Sequence, residues 1–162
     1  MKKALLPSFV ILVVIAIDQV LKIWISHTFP LYTTKVLVPK LLEFAYLHND
    51  GAAMGMLSGS RWYLIGFTAL FLAACLGYLF FGKQKSFLLQ LSLALIVGGG
   101  IGNLIDRIYL GYVVDFVRFP IPWFSYSFNI ADCAVCVGCA FLILDLILDI
   151  KRVKSNPSGG EI

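Results

Sequence analysis

The sequence predicts an α-helical polytopic membrane protein with four transmembrane helices. Three observations carry this. The 162 residues are 60% hydrophobic and only 14% charged, with a mean hydropathy of +0.90, whereas a water-soluble domain carries roughly a quarter charged residues. The apolar residues fall in four blocks near the roughly 20 residues that cross a bilayer as helix. The basic residues alternate from dense to sparse between successive connections. A length of this order suggests one domain, expected over 1–154, followed by a disordered cytoplasmic tail over 155–162.

The first block runs from Leu5 to Ile25, behind Met1-Lys2-Lys3. It imitates a signal peptide, but it is too long, it lacks a small-x-small site at its end, and Asp18 and Lys22 interrupt it. We expect it to be retained as a span. The other blocks are Trp62–Phe81, Phe87–Ile105 and Ile130–Ile150. The second and third are joined by the tight basic turn Gly82-Lys83-Gln84-Lys85-Ser86.

Lys2, Lys3, Lys83, Lys85, Lys151, Arg152 and Lys154 all fall on one side of a four-span protein. Lys35, Lys40, Arg61, Arg107 and Arg118 are spread over two long loops on the other side. Short basic segments stay cytoplasmic, so both termini are expected inside and the long loops outside. The net charge of +4 has no clustered basic face of the kind that binds nucleic acid.

In the first long loop, Tyr32–Val38 and Leu42–Leu47 have the alternating β-branched and aromatic character of strands, and His48-Asn49-Asp50-Gly51 reads as a turn. The second loop holds eight aromatics between Tyr109 and Phe128. Aromatics favour the membrane–water interface, so this loop is expected to lie on the outer surface.

Ionisable groups in or beside hydrocarbon are costly, and each needs a reason. Asn103, Asp106 and Arg107 end the third block, Asn129 and Asp132 open the fourth, and Asp115 lies between them in an apolar strand-like stretch. Three carboxylates and two amides from separate segments therefore share one depth. Asn103 with Asp106, and Asn103 with Arg107, have spacings that share a helix face. Asn129 is placed to cap the helix it opens, and Asp18 and Lys22 are spaced for an ion pair. Two close carboxylates at a low-dielectric edge cannot both ionise easily and come to share a proton. One then serves as base toward water while the other serves as acid. No serine or cysteine has an evident catalytic partner.

The remaining features read as structural. Cys75, Cys133, Cys136 and Cys139 lie in apolar runs and are expected to be small buried hydrophobes; no metal site is expected. Gly98, Gly99, Gly100 and Gly102 suit close helix packing. Asp145 and Asp149 neighbour Lys151 and Arg152 at the inner end of the fourth block. Two rival readings of the charged cluster stay open at this point: a proton- or cation-coupled carrier, and a non-catalytic membrane scaffold.

The sequence resembles the lipoprotein signal peptidase (signal peptidase II) family from about Asp18 to Ile150. The resemblance runs through Asp18-Gln19-Val20-Leu21-Lys22, His48-Asn49-Asp50-Gly51-Ala52-Ala53, Gly102-Asn103-Leu104-Ile105-Asp106-Arg107, Val113-Val114-Asp115-Phe116 and Phe128-Asn129-Ile130-Ala131-Asp132, in the family's order. It implies an aspartic endopeptidase of the bacterial cytoplasmic membrane, with its active site at the outer face. The implied reaction removes the signal peptide from diacylglyceryl-modified prolipoproteins, just before the lipidated cysteine, with no cofactor. The implied catalytic pair is Asp115 and Asp132. Asn49, Gly51, Asn103, Asp106, Arg107 and Asn129 match supporting or substrate-contacting positions, and Asp18 and Lys22 match structural ones. Asp106 is the rival for membership of the pair. A small extracytoplasmic β-cradle from the first loop, an outer surface loop or helix from the second, contact with membrane lipid and inhibition by globomycin-type depsipeptides are also implied. A monomer is expected. Met54 departs from the family, where an aromatic is usual.

Overall fold

The computed structural model describes residues 2–52, 56–82, 86–121 and 124–155. Met54, Lys83, Lys85, Trp123 and the tail beyond Ser155, on which several sequence expectations fall, lie outside the described residues. Four long helices are present: α1 (Lys2–Thr28), α2 (Arg61–Phe81), α3 (Phe87–Tyr109) and α4 (Ile130–Ser155). All four are long and apolar enough to cross a membrane. Between α1 and α2 lie β1 (Thr34–Val38) and β2 (Leu42–Asn49); between α3 and α4 lie β3 (Val113–Ile121) and β4 (Phe124–Phe128).

The helices alternate in direction, as the packing of α3 shows. A Cβ on Gly98 would press on Val14 and Ile11, and one on Gly102 on Asp18, so α3 runs parallel to α1. A Cβ on Gly99 would collide with the Ala131 carbonyl, while Gly138 faces Ser92 and Ile96, so α4 runs antiparallel to α3. Gly100 meets Leu72 of α2. The glycine run thus lets three neighbours approach one central helix, which is what small residues accomplish in membrane packing. A core of Ile11, Leu72, Leu79, Leu93, Ala94 and Val97 joins α1, α2 and α3. At the end away from the sheet, Ser86 caps α3 by accepting from the Leu89 N–H and donates to Asp145 of α4.

The strands form one antiparallel sheet in the order β1-β2-β3-β4. Tyr32 and Lys40 take positive φ angles of 61° and 62°, so β1 begins later than the alternating pattern predicts and turns back at Pro39-Lys40. β2 continues past the expected turn to Asn49, where His48 pairs with Val114 and Asn49 with Val113. In the second loop the strand-like stretch around Asp115 is a strand, while the implied surface helix is not seen among the described residues. The loop supplies β3 and β4, and β3 becomes an interior strand. Val113, Val114, Asp115 and Phe116 are all buried, as suits a strand covered on both faces.

The cysteines are a further correction. Cys75 and Cys133 are half-buried, but Cys136 and Cys139 are exposed on the surface of α4. This helix packs chiefly on α3 and leaves its other sides uncovered, among them Val137, Ile143 and Leu144.

Candidate active site

The site forms where α3 ends, α4 begins and β2 and β3 run alongside. α3 continues a turn beyond its apolar block, so Asp106 and Arg107 are helical. Gly111, at φ 90°, turns the chain from α3 into β3. Arg61 secures that corner by donating from Nε to Arg107 O at 2.8 Å and from Nη2 to Ile108 O at 2.7 Å. Carbonyls at a helix C-terminus lack intrahelical donors, and Arg61 supplies two.

α4 opens with a reciprocal cap. Asn129 Oδ1 accepts the Asp132 N–H at 3.0 Å, and Asp132 Oδ2 accepts the Asn129 N–H at 3.1 Å. This is the capping-box arrangement with an aspartate at the third helical position. It bears out the expected cap and also fixes the Asp132 carboxylate.

Asn129 joins the two carboxylates of the expected pair. Its backbone N–H holds Asp132, and its Nδ2 donates to Asp115 Oδ1 at 3.0 Å. Asn49 donates to the other oxygen of Asp115 at 3.0 Å, and its own Oδ1 is taken by the Gly51 N–H at 3.0 Å. Asn103 Nδ2 donates to Asp132 Oδ1 at 2.8 Å. Arg107 donates from Nη2 to Gly51 O at 2.8 Å, tying the chain after β2 to α3; its buried Nε has no hydrogen-bond partner among the described residues. Asn49, Gly51, Asn103, Arg107 and Asn129 thus all gather around Asp115 and Asp132.

Asp115 is 2% exposed. Burial first, and then the nearby Asp132 charge, push its carboxyl up to about 7, against the opposing effects of the Asn49 and Asn129 hydrogen bonds and of Lys22. A carboxyl so placed retains a proton near neutrality.

Asp106, Asp18 and Lys22 form a second, adjoining cluster. Lys22 Nζ lies 2.8 Å from Asp18 Oδ2 and 2.9 Å from Asp106 Oδ2, so the expected Asp18–Lys22 pair is present and is shared with Asp106. Asp106 also accepts from Gln19 Nε2 at 3.0 Å and from the Val114 N–H at 3.1 Å. Asp18 Oδ1 takes the Ala131 N–H at 2.9 Å. These charges are buried but paired, which offsets their cost of burial. Sequence reasoning quoted Gln19 without giving it a role; its amide also reaches Gly102 O at 3.2 Å.

Two cavities flank this polar wall. A groove of about 350 Å³ between α2, α3 and α4 is lined at one end by Asn103, Arg107, Tyr126 and Asp132, and along its length by Thr68, Phe71, Leu72, Ile96, Val135 and Cys136. A smaller cavity of about 190 Å³ touches Gln19, Lys22, Tyr46, Asp106 and Tyr112. Asp132 therefore faces the apolar groove, while Asp106 faces the other cavity.

The fold and site define a multi-pass helical membrane protein with paired carboxylates at one end of its helix bundle. The family model for signal peptidase (SPase) II, Peptidase_A8, matches residues 10–148, and the chain belongs to that family, which makes it a peptidase. It is 43% identical over 148 residues to the lipoprotein signal peptidase of Lactobacillus johnsonii, covering 90% of this chain and 94% of the relative. It is 39% identical over 140 residues to that of Symbiobacterium thermophilum, covering 85% and 91%. A bacterial membrane enzyme solved by the in meso method at 2.3 Å superposes with a TM-score of 0.82 at 30% identity, covering 96% of this chain and 93% of that one. A second, solved at 1.9 Å, gives 0.74 at 30% identity, covering 86% and 91%.

Proposed function

We propose that this chain removes signal peptides from diacylglyceryl-modified prolipoproteins, using Asp115 and Asp132 as an acid–base pair on water. The observation that carries the reading is the gathering of these two carboxylates, from β3 and α4, by Asn129 at the polar end of an apolar groove. The family membership and the motif resemblance supply the substrate class.

In this mechanism Asp132, which meets the groove, takes a proton from water. The resulting hydroxide attacks the carbonyl carbon of the peptide bond before the lipidated cysteine. Asp115, whose burial favours the protonated form, gives its proton to the leaving nitrogen as the C–N bond breaks. One product ends in a carboxyl group and the other begins with the cysteine amine. A proton passing from Asp132 to Asp115 restores the pair. The apolar length of the groove suits the hydrophobic part of a membrane-anchored substrate, and Asn103, Asn129 and Asn49 hold the carboxylates in place.

Lys2, Lys3, Lys151, Arg152 and Lys154 lie at helix ends remote from the sheet, which supports cytoplasmic termini and a site at the outer face of a bacterial cytoplasmic membrane. The test is a cleavage assay in detergent or lipid with a diacylglyceryl-modified prolipoprotein and its unmodified precursor. Wild type is expected to cleave only the lipidated form. Folded Asp115→Asn and Asp132→Asn are each expected to lose activity by about 10²–10⁴-fold. Full activity in either variant would remove that residue from the pair.

A further inference from the structure

Each carboxylate of the pair receives a hydrogen bond from an asparagine NH2 group, and an amide gives that bond only if its oxygen points the other way. Asn49 is held in that sense by the Gly51 N–H, and Asn129 by the Asp132 N–H. Both pins are backbone groups close in sequence. Asn103 has no such local pin. Its Oδ1 accepts from Lys22 Nζ at 2.9 Å and from Asn129 Nδ2 at 3.1 Å, which leaves its Nδ2 to donate to Asp132 Oδ1 at 2.8 Å.

We propose that Lys22 is a positioning residue for the acid–base pair: from α1 it fixes the direction of the Asn103 amide, and Asn103 in turn holds Asp132. The inference rests on the reading of Asp115 and Asp132 as catalytic. A flipped Asn103 would turn N–H groups toward the Lys22 ammonium and the Asn129 amide, and turn oxygen toward the Asp132 carboxylate. Every one of those contacts is repulsive. Lys22 is 3% exposed and has three N–H donors. Two go to Asp18 and Asp106. A lysine serving only to neutralise buried carboxylates has no need to aim its third donor at a neutral amide in contact with Asp132.

The same placement puts charge near the pair. Lys22 from α1 and Arg107 from α3 are cations that act on it, beside the titratable Asp18, Asp106, Tyr126 and Cys136. A variant that removes Lys22 and Asp18 together removes one charge of each sign, so the split between kcat and KM, rather than a displaced pH limb, reads the positioning role.

The experiment measures kcat and KM against pH with the diacylglyceryl-modified precursor. The variant is Lys22→Met combined with Asp18→Asn, which removes one charge of each sign and keeps an oxygen for the Ala131 N–H. We expect a folded protein with kcat down at least tenfold and KM little changed. A folded double variant with wild-type kcat, or with a loss carried by KM alone, overturns the proposal.

If the double variant does not fold, the milder Lys22→Arg is combined with Asn103→Ala. Lys22→Arg should lower kcat several-fold in the presence of Asn103 and have little effect without it, the non-additivity expected of residues that act through one another. Additive effects overturn the proposal. Failure of the catalytic reading is distinguishable, because Asp132→Asn would then stay active; failure of this inference alone leaves Asp132→Asn inactive.

Discussion

Asp18 Oδ1 accepts the backbone N–H of Ala131 at 2.9 Å across 113 positions of sequence, so the first helix caps the helix that carries Asp132. A carboxylate at a helix N-terminus satisfies an orphan donor and complements the helix dipole. Asp18 is fully buried and also engages Lys22. Asp18→Ala removes the cap and leaves a buried ammonium short of one partner. Breaking a buried pair from one side costs about 3–5 kcal/mol, which for a chain of this size corresponds to a Tm lower by on the order of 10 °C. Thermal unfolding in detergent measures it. A Tm within a degree or two of wild type would show that the cap carries no stability.

The raised carboxyl of Asp115 makes a pH prediction of definite sign. Its native value of about 7 stands above the ordinary 3.8. Between those two values the native state keeps a proton that the unfolded chain has lost, so stability falls as pH rises through that window and levels off above it. The loss is on the order of 4 kcal/mol over the whole window. Asp115→Asn cannot titrate and should show a flatter dependence of Tm on pH between about 4 and 7. If Asp115 is the acid, wild-type kcat/KM should also decline above about pH 7, toward tenfold per unit. Parallel Tm curves for wild type and variant would place the residue in the ordinary carboxylate range.

Glycines on α3 and α2 should differ sharply in their tolerance of a methyl group. A Cβ at Gly99 would collide with the Ala131 carbonyl beside the cap of α4 and press on Val135 Cγ2 at 2.9 Å, whereas Gly66 and Gly77 have nothing within 4 Å. Overpacking costs about 1–3 kcal/mol, and here the displaced element carries Asp132. Gly99→Ala should therefore lose both stability and cleavage. Gly66→Ala and Gly77→Ala should stay within about 0.5 kcal/mol of wild type. Equal Tm values across the three variants would contradict the packing of α3 against α4.

The helices were legible because hydropathy and charge placement are local in sequence. Their ends were less so: Asp106 and Arg107 suggested an exit, yet α3 runs on to Tyr109, because Asp106 is paired with Lys22 of α1 and Arg107 donates to the Gly51 carbonyl. In the second loop the strand-like character around Asp115 was legible, but the pairing of β3 with β2 and the strand β4 were not. Val113-Val114-Asp115-Phe116 does not alternate, because an interior strand is buried on both faces, so its neighbours on either side could not be read from a pattern of faces. Convergence of Asp106, Asp115 and Asp132 on one depth was visible from spacing. Which of them form the pair came from the motif resemblance alone. The pinning of Asn103 by Lys22, the cap given by Asp18 and the corner held by Arg61 join residues dozens of positions apart, and no local pattern encodes them.

The groove itself can be tested through the exposed cysteines of α4. Cys136 lies one turn beyond Asp132 and lines the groove, while Cys139 is exposed but does not line it. A phenylalanine at an exposed position needs no core to repack, so both substitutions should fold. Cys136→Phe places a large ring in the apolar length of the groove, one turn from the polar end. If the hydrophobic part of the substrate lies there, KM for the lipidated precursor should rise about tenfold or more, the scale of one to two kcal/mol of lost binding, with a smaller change in kcat. Cys139→Phe should leave both constants near wild type. The measurement is steady-state cleavage by the two variants beside wild type, with melting curves to confirm the fold. An unchanged KM in Cys136→Phe would show that the substrate reaches Asp132 by a route other than the apolar length of this groove.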